Sequence, residues 1–365
     1  MTDMLTRQVK IEKAIDAMNK IRTSSCHLKD AGVCPQGYDR PCGKQVGIEY
    51  VKLNEDKQTG KIMTVRNWTQ TGSDNEPHCW GRLRSAHEHI WEANFEANEP
   101  RIKKMFPKGR PDDDAPKFGQ TGYLLGNGPG LKVNGDLLKD VKGDIWGCNR
   151  HGDLDVALDY YMVLDARCKD YEESIKKINK DVTPIFSVFA NPEVTKHFNT
   201  NNALWYNVWG AGSKLHKRTR KFANKKFKAD DFSKLDSGFN VCYSMLHAMY
   251  KMGYEKIVIL GMDYAFSGGY EYFNSADDDR FIFQDKEKGF VIRQDIQEKY
   301  NKMGGLFQAR DAWGNVTFTC QPMQMAAVMM KTAAYWLKDK IELVNCTEAG
   351  LDIGIKNDKL EHHLC

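Results

Sequence analysis

Along the second two-thirds of the chain, short apolar runs alternate with longer stretches of helical period. The runs cover residues 123–125, 145–148, 161–164, 184–189, 205–208, 257–260 and 341–344. Between several of them the spacing predicts helices over residues 169–177, 238–252 and 322–337. Strands this short and this apolar are buried on both faces, as in a parallel sheet covered by helices. The pattern predicts an α/β fold with a doubly wound, mainly parallel, Rossmann-like sheet over residues 118–354. Upstream the pattern differs. Leu5, Val9, Ile11, Ile15, Met18 and Ile21 predict an amphipathic helix over residues 5–22, and residues 46–53 and 62–68 flank a polar turn as a hairpin. Leu83, His87, Ile90, Trp91, Phe95 and Ile102 place a helix over residues 81–106. Residues 108–117, with Asp112-Asp113-Asp114 and nearby prolines, read as an exposed linker. The expected division is an N-terminal α+β extension of unassigned role over 1–115, the α/β domain over 118–354, and a C-terminal tail over 355–365.

The first run of the α/β region continues as Gly126-Asn127-Gly128-Pro129-Gly130-Leu131. A strand entering a glycine-rich turn and then a helix is where α/β proteins bind phosphates, through outward-pointing backbone N–H groups. The stretch is neither Gly-x-Gly-x-x-Gly nor a P-loop, so a tight turn without a ligand is the competing reading. Polar residues end the other strands: Asn149-Arg150, then Asp165 and Arg167, then Asp263, while Ser237-Gly238 precedes a helix. One such residue is usually a cap or turn residue, but several on one edge of a doubly wound sheet make a binding crevice.

Composition narrows the partners. Across 365 residues the net charge is +4, too weak to imply nucleic acid, and no apolar run has the length of a membrane span. The N-terminus leads into no apolar core, and the ten cysteines are scattered, so a cytoplasmic, reduced protein is expected. Cys26, Cys34 and Cys42 with His78-Cys79 could supply zinc ligands, but they lack Cys-x-x-Cys spacing, and incidental cysteines are favoured. The basic run over residues 214–228 reads either as a solvated face or as a lid over an acidic ligand. A homo-oligomer is left open.

These residues carry a resemblance. The blocks Gly126-Asn127-Gly128-Pro129-Gly130-Leu131, Cys148-Asn149, Asp236-Ser237-Gly238-Phe239-Asn240-Val241 and Leu260-Gly261-Met262-Asp263 resemble the MptE-like domain. That family includes archaeal 6-hydroxymethylpterin diphosphokinases and motility accessory factors proposed to glycosylate flagellin. Asp311-Ala312-Trp313-Gly314-Asn315 and the stretch from Val344 to Gly350 also look like the motility accessory factors. Several blocks resemble bacterial CMP-sialic-acid-dependent sialyltransferases.

The resemblance implies a nucleotide-dependent transferase, first a glycosyltransferase using a nucleotide-activated sugar, such as a CMP-linked acidic one. It implies that Asn127, Gly128, Asn149, Ser237 and Gly238 hold the nucleotide, with Tyr270 and Tyr272 near its phosphate or in a lid. The sialyltransferases carry a histidine well after the Gly-x-Asp block, yet this chain has none between His247 and His362. Asp263, Glu271 and Asp311 are therefore the candidate catalytic carboxylates, with His151 a further candidate base, although a lone histidine is more often structural. Asp165 would join the nucleotide site and hold Mg²⁺ if the protein were instead an ATP-dependent pterin-type diphosphokinase. A nucleotide-binding module without chemistry is the third reading.

Overall fold

In the computed structural model the described residues are 46–52, 61–66, 70–71, 77–78, 91–106, 117–164, 172–208, 214–227, 234–235, 240–285, 289–301 and 305–364. The chain forms two compact units, Met1–His89 with Glu298–Gly305, and Ile90–Gln297 with Leu306–Cys365. In the first, β1 (Val46–Lys52) pairs antiparallel with β2 (Lys61–Arg66), the hairpin read from the sequence, and β3 (Gln70–Thr71) pairs with β4 (Pro77–His78). The expected helix over 5–22 lies outside the described residues.

The second unit begins with helix α1 over residues 91–98. Its strands follow as β5 (Thr121–Leu125), β6 (Asp144–Cys148), β7 (Tyr160–Val163), β8 (Thr183–Ser187), β9 (Leu204–Val208), β10 (Lys234–Leu235) and β11 (Lys256–Leu260). The short helices α2 (Leu131–Asn134), α3 (Glu172–Ile175) and α4 (Pro192–Thr195) and the long helices α5 (Lys214–Phe227) and α6 (Val241–Met252) lie between them. After β11 come two antiparallel hairpins, β12 (Ile282–Asp285) with β13 (Gly289–Ile292), and β14 (Leu306–Arg310) with β15 (Val316–Cys320). Helix α7 (Gln321–Leu337), β16 (Glu342–Asn345) and β17 (Lys356–Asn357) complete the unit.

The main sheet has the order β10-β9-β8-β7-β6-β5-β11-β16-β17, with every neighbouring pair parallel. All seven apolar runs of the sequence are strands of this sheet. The pleat sends alternate residues to opposite faces. Tyr123 and Leu125 join a core layer with Phe95 of α1 and Leu215 and Ala223 of α5, whereas Leu124 joins the other with Met245 and Met249 of α6 and Met330 of α7. Helices therefore cover both faces, as expected of a doubly wound sheet.

Two local expectations change. The helix read over residues 81–106 gives way after residue 98 to a 3₁₀ turn, Glu99–Arg101, carrying Pro100 near its start. Proline supplies no N–H to a continuing helix. The chain then runs extended: Phe106 N–H donates to Trp205 O at 2.6 Å, and Trp205 N–H to Lys104 O at 3.0 Å. Ile102 and Phe106 are thereby buried in the larger unit, upstream of the expected boundary at 108–117. Downstream, β17 and the buried Leu360 place the expected tail in the same unit. Residues 214–227 of the basic run are helix α5. Leu215, Thr219 and Ala223, spaced by four, face inward, and Arg218 bonds Glu92 and Glu96 of α1 at 3.1 Å each. Most of its lysines form the solvated face.

Replacing Ile102, 0% exposed, by Ala should destabilise the protein by about 2–5 kcal/mol in denaturant unfolding, because it empties a core site. An unchanged midpoint would show that the segment does not belong to the core.

Candidate functional site

Strand order reverses between β5 and β11: the chain proceeds outward from β5 to β10, then returns to lay β11 on the other side of β5. Ligand crevices of open α/β sheets form at such a reversal, beyond the carboxyl ends of the strands. The loops there are Gly126–Gly130 after β5, Asn149–Asp153 after β6, the stretch after Gly261, and Cys346–Gly350 after β16.

These loops are fastened to one another. Asp263, 1% exposed, accepts the Gly130 N–H at 2.9 Å through Oδ1. A Cβ at Gly128 would stand 2.1 Å from Asp263 Oδ2, and one at Gly350, whose φ is +80°, would stand 2.3 Å from the Asp263 Cα. Only glycine lets the β5 turn close on this carboxyl and the β16 loop close on the Asp263 main chain. Gly126 N–H donates to Leu260 O at 2.7 Å, and Gly128 N–H to Gly261 O at 2.8 Å. The glycine N–H groups expected to point at a phosphate thus point inward, and α2 is a single turn. Met262 N–H donates to Thr347 Oγ1 at 3.1 Å, and Asn134 Nδ2 to Cys346 O at 2.6 Å, which adds the β16 loop.

Burial pushes the Asp263 pKa up to about 6. Neither its Oδ2 nor the neighbouring Ser267 Oγ completes a well-formed hydrogen bond. Asp263 is thus a buried fastener rather than an open base. Asp311 closes the β14–β15 turn: its carboxylate accepts the N–H groups of Trp313 and Asn315 and the Asn315 side-chain amide at 2.8–3.1 Å. That turn reaches the same edge, since Ala312 N–H donates to Gly350 O at 2.8 Å. Glu271 is half-buried in the segment after β11.

His151 is also a fastener. Its Nδ1 accepts the Cys148 N–H at 2.7 Å, which puts the proton on Nε2, 3.0 Å from Gly126 O. Burial lowers its pKa to about 4, and its ring stacks on Phe273 at 5.4 Å. With both nitrogens engaged it is not the free base the sequence left open.

Asn127 and Asn149 meet at this edge. Asn127 Oδ1 accepts the Arg150 N–H at 3.1 Å, its Nδ2 reaches Cys148 Sγ at 3.2 Å, and its carbonyl accepts the Phe273 N–H at 3.1 Å. Asn149 adopts φ +49°, its carbonyl held by the Tyr161 hydroxyl at 2.6 Å, and its half-exposed side-chain amide makes no hydrogen bond among the described residues. The other non-glycine residues with positive φ, Tyr264 and Glu348, follow β11 and β16, so among the described residues this strain gathers at the carboxyl edge. The sequence reading left Arg150 without a role. Its guanidinium lies 4.4 Å from the Tyr272 ring centroid, and Lys132 Nζ lies 4.2 Å from that of Tyr270. Asp165, Ser237 and Gly238 lie outside the described residues, as do Cys26, Cys34, Cys42 and Cys79. Among the described residues no group of three His, Cys, Asp or Glu side chains forms a metal cluster. Cys148, Cys242, Cys320 and Cys346 are buried and form no disulfide among the described residues, and no helix of the described chain is long and apolar enough to cross a membrane.

A parallel, doubly wound sheet with a polar crevice at its order reversal defines the class of α/β proteins that take ligands at the strand ends. Residues 93–269 match the family model "6-hydroxymethylpterin diphosphokinase MptE-like". The Maf glycosyltransferase of Magnetospirillum magneticum AMB-1 has a similar structure, with a TM-score of 0.52, 13% identity and coverage of 76% of this chain. The match spans only 40% of that enzyme's chain, and the likeness is one of fold. The Campylobacter jejuni sialyltransferase CstII, solved with the substrate analogue cytidine-5'-monophosphate, matches at a TM-score of 0.30 and 12% identity, over 66% of this chain and 88% of its own. No curated protein matches the sequence.

The pH dependence of stability tests the Asp263 assignment. Raising its pKa from 3.8 to about 6 in the folded state makes stability fall as pH rises from about 4 to about 6, by on the order of 3 kcal/mol. His151, lowered from 6.5 to about 4, acts in the opposite sense over nearly the same window, stability being lost as pH falls. The two slopes oppose each other in the intact protein, so the difference between variants carries the signal. Asp263→Asn keeps the Oδ1 acceptor and should grow more stable relative to the parent as pH rises from 4 to 6. A difference that does not change with pH would mean that Asp263 is not buried as described.

Proposed function

We propose that this chain is a nucleotide-dependent transferase, and that its reaction is glycosyl transfer from a nucleotide-activated sugar. The observation that carries the reading is the meeting of Asn127, Asn149 and Arg150 at the sheet's order reversal, with the Asn149 amide left unpaired at a strained, half-exposed position. A half-exposed amide with both donor and acceptor unspent suits the edge of a base or a ribose hydroxyl. The match to the MptE-like family model and the fold shared with the Maf glycosyltransferase support a transferase. A CMP-linked acidic sugar is the donor we favour, from the block resemblance and from the basic side chains Lys132, Arg150 and Arg280 around Tyr270 and Tyr272.

In this reading the crevice binds the nucleotide and orients the bond between its phosphate and the sugar. The acceptor oxygen attacks the anomeric carbon, that bond breaks, and the nucleotide phosphate leaves with the electron pair. The chain contributes orientation and positive charge near the leaving oxygen. We assign proton removal from the acceptor to Glu271, half-exposed between Tyr270 and Tyr272 in the segment after β11.

The family description favours a second reading, a pterin-type diphosphokinase using ATP and Mg²⁺. Its metal would be held by Asp165, outside the described residues, and by the nucleotide's own phosphates.

A thermal-shift panel of CMP, UDP, GDP, ADP and ATP, with and without Mg²⁺, separates the readings, because a ligand of the folded state raises apparent stability. Stabilisation by CMP without metal is expected; stabilisation by ATP only with Mg²⁺ would replace the first reading with the second. Asn149→Ala should weaken nucleotide binding about 5- to 150-fold by calorimetry, the equivalent of about 1–3 kcal/mol, at nearly unchanged stability. Unaltered affinity would move the site elsewhere. Glu271→Gln should lower kcat about 10²- to 10⁴-fold with little change in KM, and retained turnover would remove it as the base.

A further inference from the structure

We propose that Arg150, held on the face of Tyr272, is the oxyanion-binding group of the crevice. It would take a nucleotide phosphate or the carboxylate of an attached sugar. The inference rests on the nucleotide reading for its ligand but not for its geometry.

The placement of Arg150 is built from both ends. Its N–H is fixed by Asn127 Oδ1 at 3.1 Å, and its carbonyl accepts the Asp153 N–H at 3.0 Å. It follows Asn149, whose φ of +49° turns the chain at the end of β6. Its partner Tyr272 precedes Phe273, whose N–H donates to Asn127 O at 3.1 Å and whose ring stacks on His151. Cation and ring are therefore anchored to the same residue, Asn127, through its side chain on one side and its carbonyl on the other. A guanidinium 4.4 Å from a ring centroid lies within cation–π range, and stacking leaves the planar N–H edge available for bidentate bonding to an oxyanion.

Arg150 makes no ion pair among the described residues, in contrast to Arg218 with Glu92 and Glu96, and Arg293 with Asp295. The acid on its own loop, Asp153, is occupied by Lys177 at 2.6 Å and Asn274 at 2.7 Å. The neighbouring cation, Lys132, is spent otherwise: its Nζ donates to Ser275 O at 2.6 Å, and the Tyr270 hydroxyl beneath it lies 3.4 Å from Asp277. A half-exposed arginine, pre-positioned by a ring and by two main-chain bonds and with no carboxylate partner among the described residues, is arranged for an anion from outside the chain.

The test is calorimetric titration of the full chain and of Arg150→Gln, Arg150→Lys and Tyr272→Leu. The probes are inorganic pyrophosphate, cytidine, CMP and CMP-N-acetylneuraminate. Arg150→Gln, with its melting temperature unchanged, should bind pyrophosphate and CMP about 10- to 100-fold more weakly and cytidine as before. Arg150→Lys should retain part of the affinity, and Tyr272→Leu should lose less than Arg150→Gln. If only CMP-N-acetylneuraminate binding falls, Arg150 reads the sugar carboxylate instead of the phosphate. If Arg150→Gln binds every probe like the parent, the inference is overturned and the nucleotide reading stands. If the parent binds pyrophosphate through Arg150 but no nucleotide, the inference stands and that reading falls. If the parent binds none of the probes, both are overturned.

Discussion

The Asp263 carboxyl accepts the Gly130 N–H in a space that only glycine at 128 leaves free. That contact joins chain segments separated by more than a hundred residues, at the point where the sheet changes direction. Burying a carboxylate is costly, and one well-aligned N–H bond offsets only part of the penalty. The rest is tolerated because the backbone bonds around it lock the same loops: Gly126 to Leu260, Gly128 to Gly261, and Leu351 to Asp263. Weakening that carboxyl contact would loosen the β5, β11 and β16 loops together.

From this fastening the crevice acquires its rigidity. Asn127 is carried at a fixed height by the glycine turn and uses all three of its polar groups that face the β6 loop and the segment after β11. His151 crosses from β6 to β5 as a neutral spacer. The strained Asn149 and the stacked Arg150 are then presented outward by a frame that is itself held by hydrogen bonds between the β5, β6, β11 and β16 loops. A binding group held in this way loses little conformational freedom when a ligand arrives.

Much of the fold was legible in the sequence because the buried parallel strands are almost purely apolar and the turns between them carry glycine or asparagine. The candidate site could be picked out for a related reason: polar residues at strand ends stand out against apolar runs. Their roles could not. Asp263 and Asp311 have the composition of catalytic carboxylates but serve as acceptors for main-chain N–H groups. The direction of the glycine N–H groups depends on Leu260 and Gly261, partners more than a hundred residues away, which spacing cannot disclose. His151 looked like a base because a sequence does not show that both its nitrogens are engaged. The helix read over 81–106 failed at Pro100, where the apolar residues Ile102, Met105 and Phe106 continue a helical-looking pattern although the chain is extended. Arg150 could have been singled out as a cation beside a strand-end asparagine, but that it has no ion-pair partner among the described residues emerges only in three dimensions.

Both ends of the main sheet taper. β10 and β17 each contribute two residues, and part of the β9 edge is taken by the bonds to Lys104 and Phe106. A long bare edge would be a template on which another copy could add a strand and propagate a fibre. Among the described residues neither margin offers a full-length row of unpaired donors and acceptors. Adding a strand to either margin of the main sheet would therefore find few free backbone groups to pair with.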